Sequence, residues 1–366
     1  MTTVAILGAG AGAASAAVEL ARKGLRVRMW NRSPGTLAPM QRAGGIHHEG
    51  VLGEGFVRLD YIGTDLAQAL RDAQAAVVCL PTFSHGDIAR DLADLGSDLP
   101  VVLNPGHTGG ALAFRAAYLQ RRAGLPPLAQ FSTLTYVARK PAGDRVRITG
   151  RAMQVRAAAL PGGETALQTA QELFDCASPE PDVLATDLAN VNMVLHPPGA
   201  VLAAAWVEAR QGGFTFYVDG MTPGVARVAR ELDIERRRVA RAFGHDLPPL
   251  VAEMQRIGTV RADHADPDDI AAAVAAGEAN RNIMAPDGLA HRYYLEDFGH
   301  GIVPFSVLAD IAGVAVPVAK SLLLLAETAT GQPYRVNGRT ARSMGIEGMR
   351  IEQLLALVRP HGAARG

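Results

Sequence analysis

Apolar positions follow two different rhythms along this 366-residue chain. In the first half they come in short blocks: Val4-Ala5-Ile6-Leu7, Ala75-Ala76-Val77-Val78-Cys79-Leu80 and Pro100-Val101-Val102-Leu103 are unbroken, while Leu25 to Trp30 and Gln154 to Leu160 are interrupted by arginine. Each block is closed by glycine, proline or asparagine. Blocks apolar at every position predict strands covered on both faces, the signature of a parallel sheet. Helical segments, Ala13 to Lys23 and Thr165 to Phe174, fall between them, so the first half predicts a mostly parallel, doubly wound sheet. Ser178-Pro179-Glu180-Pro181-Asp182 breaks the pattern and marks a boundary. Beyond it the rhythm is helical over Thr186 to Gln211, Thr222 to Gly244, Pro304 to Ala312, Pro317 to Thr330 and Ile351 to Arg359. Thr222-Pro223 is a helix start, and Val225, Val228, Leu232, Val239 and Phe243 form a core-facing stripe behind it. Gly313 and Gly331 stand where helices end.

The turn after the first block, Gly8-Ala9-Gly10-Ala11-Gly12-Ala13, reads G-x-G-x-x-A between a buried strand and an alanine-rich helix. Residues with little or no side chain let backbone N–H groups approach a pyrophosphate, and the helix N-terminus adds positive potential. With Gly24 ending the helix and Leu25 to Trp30 following as a strand, a complete βαβ unit results, as dinucleotide binding requires. The expected fold is therefore α/β plus all-α: a Rossmann-type sheet domain over residues 1–182, then an all-helical domain over 183–366. Gly8, Gly10, Ala11, Gly12 and Ala13 are the expected pyrophosphate cradle. An NAD site places an acid after the second strand. Here stand Asn31, Arg32 and Ser33, which suit a 2′-phosphate, since arginine pairs with phosphate bidentately. The expected cofactor is NADP(H), with NAD(H) possible, although Arg32 could also be one surface cation among many: 33 of the 36 basic residues are arginine. Ligands sit at the carboxyl ends of parallel strands. Pro81, Thr82, Asn104, Pro105 and Gly106 share that rim and flank the nicotinamide half, unless Thr82 and Asn104 serve only as turn formers.

Composition narrows the class. Apolar content of 48% and charged content of 20% are those of a globular enzyme. A formal net charge of zero gives no electrostatic reason to bind nucleic acid or an anionic membrane. The apolar start lacks a basic segment and belongs to the nucleotide turn, so no leader is expected. Leu322 to Leu325 lie in a run too short to span a bilayer. Cys79 and Cys176 fit a reducing, cytoplasmic compartment, with Cys79 packed in a strand rather than reactive. His47-His48 is read as a loop pair, and the ten histidines show no metal-ligand spacing.

Two segments of the second half concentrate chemistry. In Asn190-Val191-Asn192-Met193-Val194-Leu195-His196-Pro197-Pro198-Gly199, a residue before proline is pushed out of the α region, so His196 is expected at a break between helical segments. An imidazole there is either an acid–base group or a core histidine bonded to a freed carbonyl. In Asn282 to Gly301, an arginine, two tyrosines, acids and histidines cluster around glycines. Arg292 is a natural carboxylate clamp, and Asp297 a group able to orient an imidazole and stabilise its cation. A polar loop with surface ion pairs is the plainer reading of the same composition.

The chain resembles the octopine/nopaline (opine) dehydrogenase family over nearly its whole length. The resemblance is carried by Asn104-Pro105-Gly106-His107-Thr108-Gly109-Gly110-Ala111, Asn190 to Pro198, Phe216-Tyr217 through Thr222-Pro223, and Asp233 with Glu235-Arg236. Arg292-Tyr293 with Glu296-Asp297, Gly301 through Pro304, Gly313-Val314 and Pro317 complete it. The family usually has arginine at the position of His107. The resemblance implies a catalytic dyad of His196 and Asp297, Arg292 as a substrate-carboxylate contact, and Thr108 and Arg139 as further substrate contacts. It implies reductive condensation of an amino acid with a 2-oxo acid by NADPH, the imine being reduced to a secondary amine that bears two carboxylates, and a homodimer is expected. The rival readings are a ketopantoate-reductase type of 2-oxo acid reductase, a metallophore-type opine synthase and a non-catalytic NADP sensor. The reductase type uses a lysine early in its helical domain. No lysine occurs here between Lys140 and Lys320, and His196 occupies that place.

Overall fold

The computed structural model describes residues 2–278 and 280–359. Among the described residues, twelve strands build two sheets. The strands are β1 (Thr3–Leu7), β2 (Arg26–Trp30), β3 (Gly45–Gly50), β4 (Gly55–Arg58), β5 (Tyr61–Gly63), β6 (Ala75–Val78), β7 (Val101–Leu103), β8 (Leu128–Phe131), β9 (Tyr136–Ala142), β10 (Arg145–Arg151), β11 (Val155–Ala159) and β12 (Ala177–Pro179). The large sheet has the order β12-β11-β8-β7-β6-β1-β2-β5. All its neighbouring pairs are parallel except β8 with β11. Parallel pairing of β1, β6 and β7 brings their carboxyl ends, and so the loops after Leu7, Val78 and Leu103, to one rim. Connecting helices are α1 (Ala11–Arg22), α2 (Pro34–Ala43), α3 (Leu66–Leu70), α4 (His85–Asp94), α5 (Gly110–Leu119) and α6 (Glu164–Leu173). The parallel, doubly wound sheet expected from the apolar blocks is present.

A four-stranded sheet, β4-β3-β10-β9, was not expected. Its strands are half polar, so they form no apolar block. Ile46, His48, Val146 and Ile148 are buried while Arg145 and Arg147 alternate with them outward. The period of two is that of a sheet with one wet face. His47-His48 is consequently strand, not loop, and His48 is buried with Nδ1 3.0 Å from the Gly53 carbonyl oxygen.

After β12 the chain is helical: α7 (Val183–Leu188), α8 (Val191–Leu202), α9 (Ala204–Arg210), α10 (Pro223–Ala242), α11 (Leu250–Ile257), α12 (Ile270–Ala276), α13 (Arg292–Asp297), α14 (Val303–Ala312), α15 (Pro317–Thr330), α16 (Tyr334–Asn337) and α17 (Ile351–Val358). The helical stretch read over Thr186 to Gln211 holds three helices, and α8 passes unbroken through Pro197 and Pro198. Those prolines cannot donate to the carbonyls one turn back, yet the burial of nearly every α8 side chain keeps the helix continuous. The break expected at His196 is therefore absent. No helix among the described residues is long and apolar enough to cross a membrane.

Candidate active site

The rim of the large sheet carries the glycine turn. Gly8 has φ 132°, and a Cβ there would lie 2.4 Å from the Cys79 carbonyl oxygen, so only glycine fits between β1 and β6. At Gly10, by contrast, nothing lies within 4 Å of an added Cβ, leaving backbone open where a pyrophosphate would approach. Ala13 is fully buried behind the turn. Lys140, reaching in from β9, places Nζ 3.1 Å from the Ala9 carbonyl oxygen and brings a cation to the turn. These features fit a dinucleotide phosphate pair. Beyond β2, Arg32 and Ser33 are exposed at the start of α2; the Arg32 side chain is 76% exposed and only 3.7 Å from Asp87, a loose pairing. The Ser33 hydroxyl makes no capping bond to α2.

The helical half brings His196 against this rim. Asn190 caps α8 by accepting from the Asn192 N–H, while its amide donates to the Thr108 hydroxyl at 3.2 Å. Thr108 in turn donates to the Asp187 carbonyl at 3.0 Å and is fully buried. Thr108 thus anchors α8 under the β7 loop, its hydroxyl already engaged by the Asp187 carbonyl and the Asn190 amide. Asn104 is likewise fully buried: its amide donates to the Thr135 hydroxyl and its oxygen accepts from the Thr135 N–H. Its side chain ties the loop after β7 to Thr135, at the start of the segment leading into β9. Pro81 is exposed at the rim. Arg139 projects, exposed, from β9 and donates to the Ala138 carbonyl; among the described residues no hydrogen bond joins it to the crevice.

His196 and Asp297 meet. Nδ1 lies 2.7 Å from Asp297 Oδ2 across 101 positions of sequence, both side chains about 5% exposed. The imidazole is stacked on Tyr293 at 3.9 Å and 21°, with Phe216 edge-on at 6.1 Å. Its Nε2 lies 2.7 Å from the Tyr217 hydroxyl. Gly199, one turn beyond His196, makes this possible, because a Cβ there would stand 2.7 Å from the Phe216 ring. On α13 the helical period puts Tyr293 and Asp297 on the buried face, and Arg292 and Glu296 on the next. Burial lowers the pKa of Arg292, but the negative potential of Tyr293, Glu296 and Asp297 outweighs it and holds the value above the ordinary one. Glu296 accepts from both the N–H and the hydroxyl of Thr82, at 2.9 and 3.1 Å. That bond ties α13 to the loop after β6, so Thr82 is a bridge between the halves. A π-helical turn, Phe298–Ile302, follows Asp297 directly, a distortion common at functional sites.

Beneath the crevice lies Arg339, 2% exposed. Its guanidinium donates to the carbonyls of Thr108 (2.6 Å), Gly106 (3.1 Å) and Thr82 (3.4 Å), and its backbone N–H donates to the Gly299 carbonyl in the π-turn. Desolvation pulls its pKa down to about 10. Burial, reinforced by this cation, keeps His85 and His300 neutral, His300 falling to about 3. His107, at φ 56°, is also lowered by burial, against the raising pull of Glu296 and Asp297.

The helical half matches the family described as NAD/NADP octopine/nopaline dehydrogenase, alpha-helical domain, over residues 179–330. An opine dehydrogenase of Arthrobacter sp. (strain 1C) is 31% identical over 350 residues, covering 95% of this chain and 96% of that protein. The chain belongs to the opine dehydrogenase family. It is accordingly an NAD(P)-dependent oxidoreductase. Vitopine synthase of Allorhizobium ampelinum is 25% identical over 293 residues, 78% of each chain. Two solved structures share the fold over nearly their full lengths. Octopine dehydrogenase in complex with NADH and agmatine superposes with a TM-score of 0.77 at 21% identity, covering 100% of both chains. Yersinopine dehydrogenase with NADP+ bound gives 0.73 at 18%, covering 97% and 99%. The first of these proteins is thus seen with NADH and the second with NADP+.

Tyr217, Glu296, Lys140 and Arg339 had no assigned role in the sequence reading. Lys140 carried one signal, being one of three lysines in an arginine-rich chain. The roles of the others depend on contacts between distant segments, which no local pattern announces.

Proposed function

We propose that this protein is an NADPH-dependent opine dehydrogenase that condenses an amino acid with a 2-oxo acid and reduces the resulting imine to an N-(carboxyalkyl) amino acid. The observation that carries the reading is the His196–Asp297 bond, placed beside Arg292 and tied to the nicotinamide rim through Glu296 and Thr82. Residues 1–182 hold the cofactor and 183–366 supply the acid–base and carboxylate groups. A bound reduced nicotinamide supplies the hydride. Gly8, Gly10 and Ala13 would hold its pyrophosphate, with Lys140 alongside. Arg292 fixes a substrate carboxylate in its planar fork. His196 takes a proton from the incoming ammonium and returns one to the departing hydroxyl, and Asp297 holds the ring and steadies its cation. Both cysteines are unpaired, in keeping with a reducing cytoplasm.

Two variants test this reading. His196→Ala should bind NADPH as the parent does, followed by cofactor fluorescence, yet lose about two to four powers of ten in turnover; near-parental turnover would sink the dyad. The NADP assignment rests on Arg32 and Ser33, exposed at the start of α2, with no acid following β2 in the chain and Asp87 only loosely paired to Arg32 at 3.7 Å. Arg32→Ala should raise KM for NADPH about tenfold, the loss of one charge-assisted phosphate contact, and leave KM for NADH nearly unchanged; equal effects would remove that assignment. The substrates are found by pairing amino donors with pyruvate, glyoxylate, oxaloacetate and 2-oxoglutarate while NADPH absorbance is followed. NADPH oxidation with oxo acid alone would instead indicate a hydroxyacid-forming reductase.

A further inference from the structure

We propose that the Tyr217 hydroxyl is the group that exchanges protons with substrate, standing between His196 and the reacting nitrogen and oxygen, so that the acid–base device is a relay Asp297–His196–Tyr217 rather than a dyad. The inference rests on the catalytic reading of His196 given above. An imidazole that acts on substrate directly needs a free ring nitrogen. His196 has none: Nδ1 is engaged by Asp297 and Nε2 by Tyr217, each at 2.7 Å.

The direction of both bonds follows from the groups themselves. An ionised carboxylate only accepts, so Nδ1–H donates to Asp297. That leaves Nε2 of a neutral ring as an acceptor, and the phenol O–H donates to it. Burial, with Tyr293 and Asp297 adding negative potential, lifts the Tyr217 pKa well above 10 against a smaller opposing effect of Arg292, and keeps the phenol protonated. Tyr217 thus stands against the imidazole, the two ring centroids 6.1 Å apart. The backbone just before it is pinned to the 283–284 segment. The Phe216 N–H donates to the Ile283 carbonyl at 2.8 Å, and Thr215 bridges Met284. The Phe216 ring packs on Gly199 and edge-on to His196.

The proton account balances. The substrate ammonium gives a proton to the Tyr217 oxygen as the phenol proton passes to His196 Nε2, leaving a neutral amine and an imidazolium bonded to Asp297. The amine nitrogen forms a bond to the ketone carbon, and its proton moves to the oxygen to give a carbinolamine. Imidazolium then returns its proton to the Tyr217 oxygen while the phenol proton goes to the carbinolamine hydroxyl. The C–O bond breaks, water leaves, and the nitrogen lone pair forms the iminium double bond, ready for hydride. No net proton is consumed up to that point, and the phenol ends as it began.

The test compares Tyr217→Phe, His196→Ala and the parent in steady-state kinetics, with NADPH affinity by fluorescence as the control for folding. Tyr217→Phe should bind NADPH normally and lose about two to four powers of ten in kcat, with KM for both substrates changed far less. A Tyr217→Phe enzyme within threefold of parental kcat overturns the relay. If His196→Ala is inactive in that same comparison, the histidine reading stands and only the tyrosine falls; if both variants are active, the catalytic reading falls too. Should Tyr217→Phe fail to bind NADPH, replacing Tyr217 with 3-fluorotyrosine keeps the hydroxyl and lowers its pKa. The alkaline limb of the kcat profile should then move to lower pH, and an unmoved limb overturns the proposal.

Discussion

At the scale of single residues, burial decides which charges this protein can hold. His196 is surrounded by Asp297, Tyr217 and Tyr293, so either protonation state finds a hydrogen-bond partner inside a nearly closed site. Asp187 is the opposite case. It is fully buried; Oδ1 accepts from the Gln130 amide at 2.6 Å, and Oδ2 has no partner among the described residues. Burial raises its pKa to about 7, against the lowering effects of Gln130, the Gly109 N–H and Arg339. A carboxyl whose folded pKa exceeds its unfolded value binds a proton on folding, so stability is greatest below the unfolded value and falls as pH rises towards 7. Asp187→Asn removes that slope. The stability of the variant relative to the parent, from urea unfolding, should climb between pH 4 and 7 by up to roughly 4 kcal/mol and then level off. A flat difference across that range would show that Asp187 is ionised in the folded protein throughout.

At the scale of elements, the site depends on short connections more than on helices. The Arg339 guanidinium holds the loops after β6 and β7 by three carbonyls, while its N–H holds the π-turn after Asp297. The rim loops and the turn after Asp297 are thus spaced by one side chain that, among the described residues, has no carboxylate within 4 Å. Arg339→Met keeps much of the volume but leaves three buried carbonyls short of a donor, a loss of about 2 to 4 kcal/mol. The urea midpoint should fall and KM for the cofactor should rise together. A midpoint shift with unchanged cofactor KM would mean that the loops hold their shape without the clamp. The same scale shows where sequence reading stops. The apolar blocks of β1, β6 and β7 and the capped start of α10 are legible because each is a local pattern. The β3–β4–β9–β10 sheet is less so: its strands alternate, but arginine and histidine fill the polar positions and hide the period. The prolines of α8 mislead in the other direction, because a local preference against helix gives way to packing on both sides.

At the scale of the whole molecule, polar ties join the sheet half to the helical half. Arg156 on β11 donates to both carboxylate oxygens of Glu253 on α11, at 2.8 and 2.9 Å, and Asp182 accepts from Arg359 after α17 at 2.7 Å. Together with Thr82–Glu296 and the Thr108–Asn190 anchor, these bonds set the crevice in which cofactor and substrate would meet. The chain by itself determined what can be written within a few dozen residues: the glycine turn and its βαβ unit, the missing acid after β2, the change from strand to helix near residue 182, and the family resemblance that singled out His196, Arg292 and Asp297. Only the tertiary structure decided which of those groups touch. It placed Asp297 on Nδ1 and Tyr217 on Nε2, turned Thr108 and Asn104 inward, and made Arg339 a clamp. The physical reason is that periodicity and propensity act over one or two turns of chain, whereas a hydrogen bond spanning 101 positions is selected by the packing of the whole core.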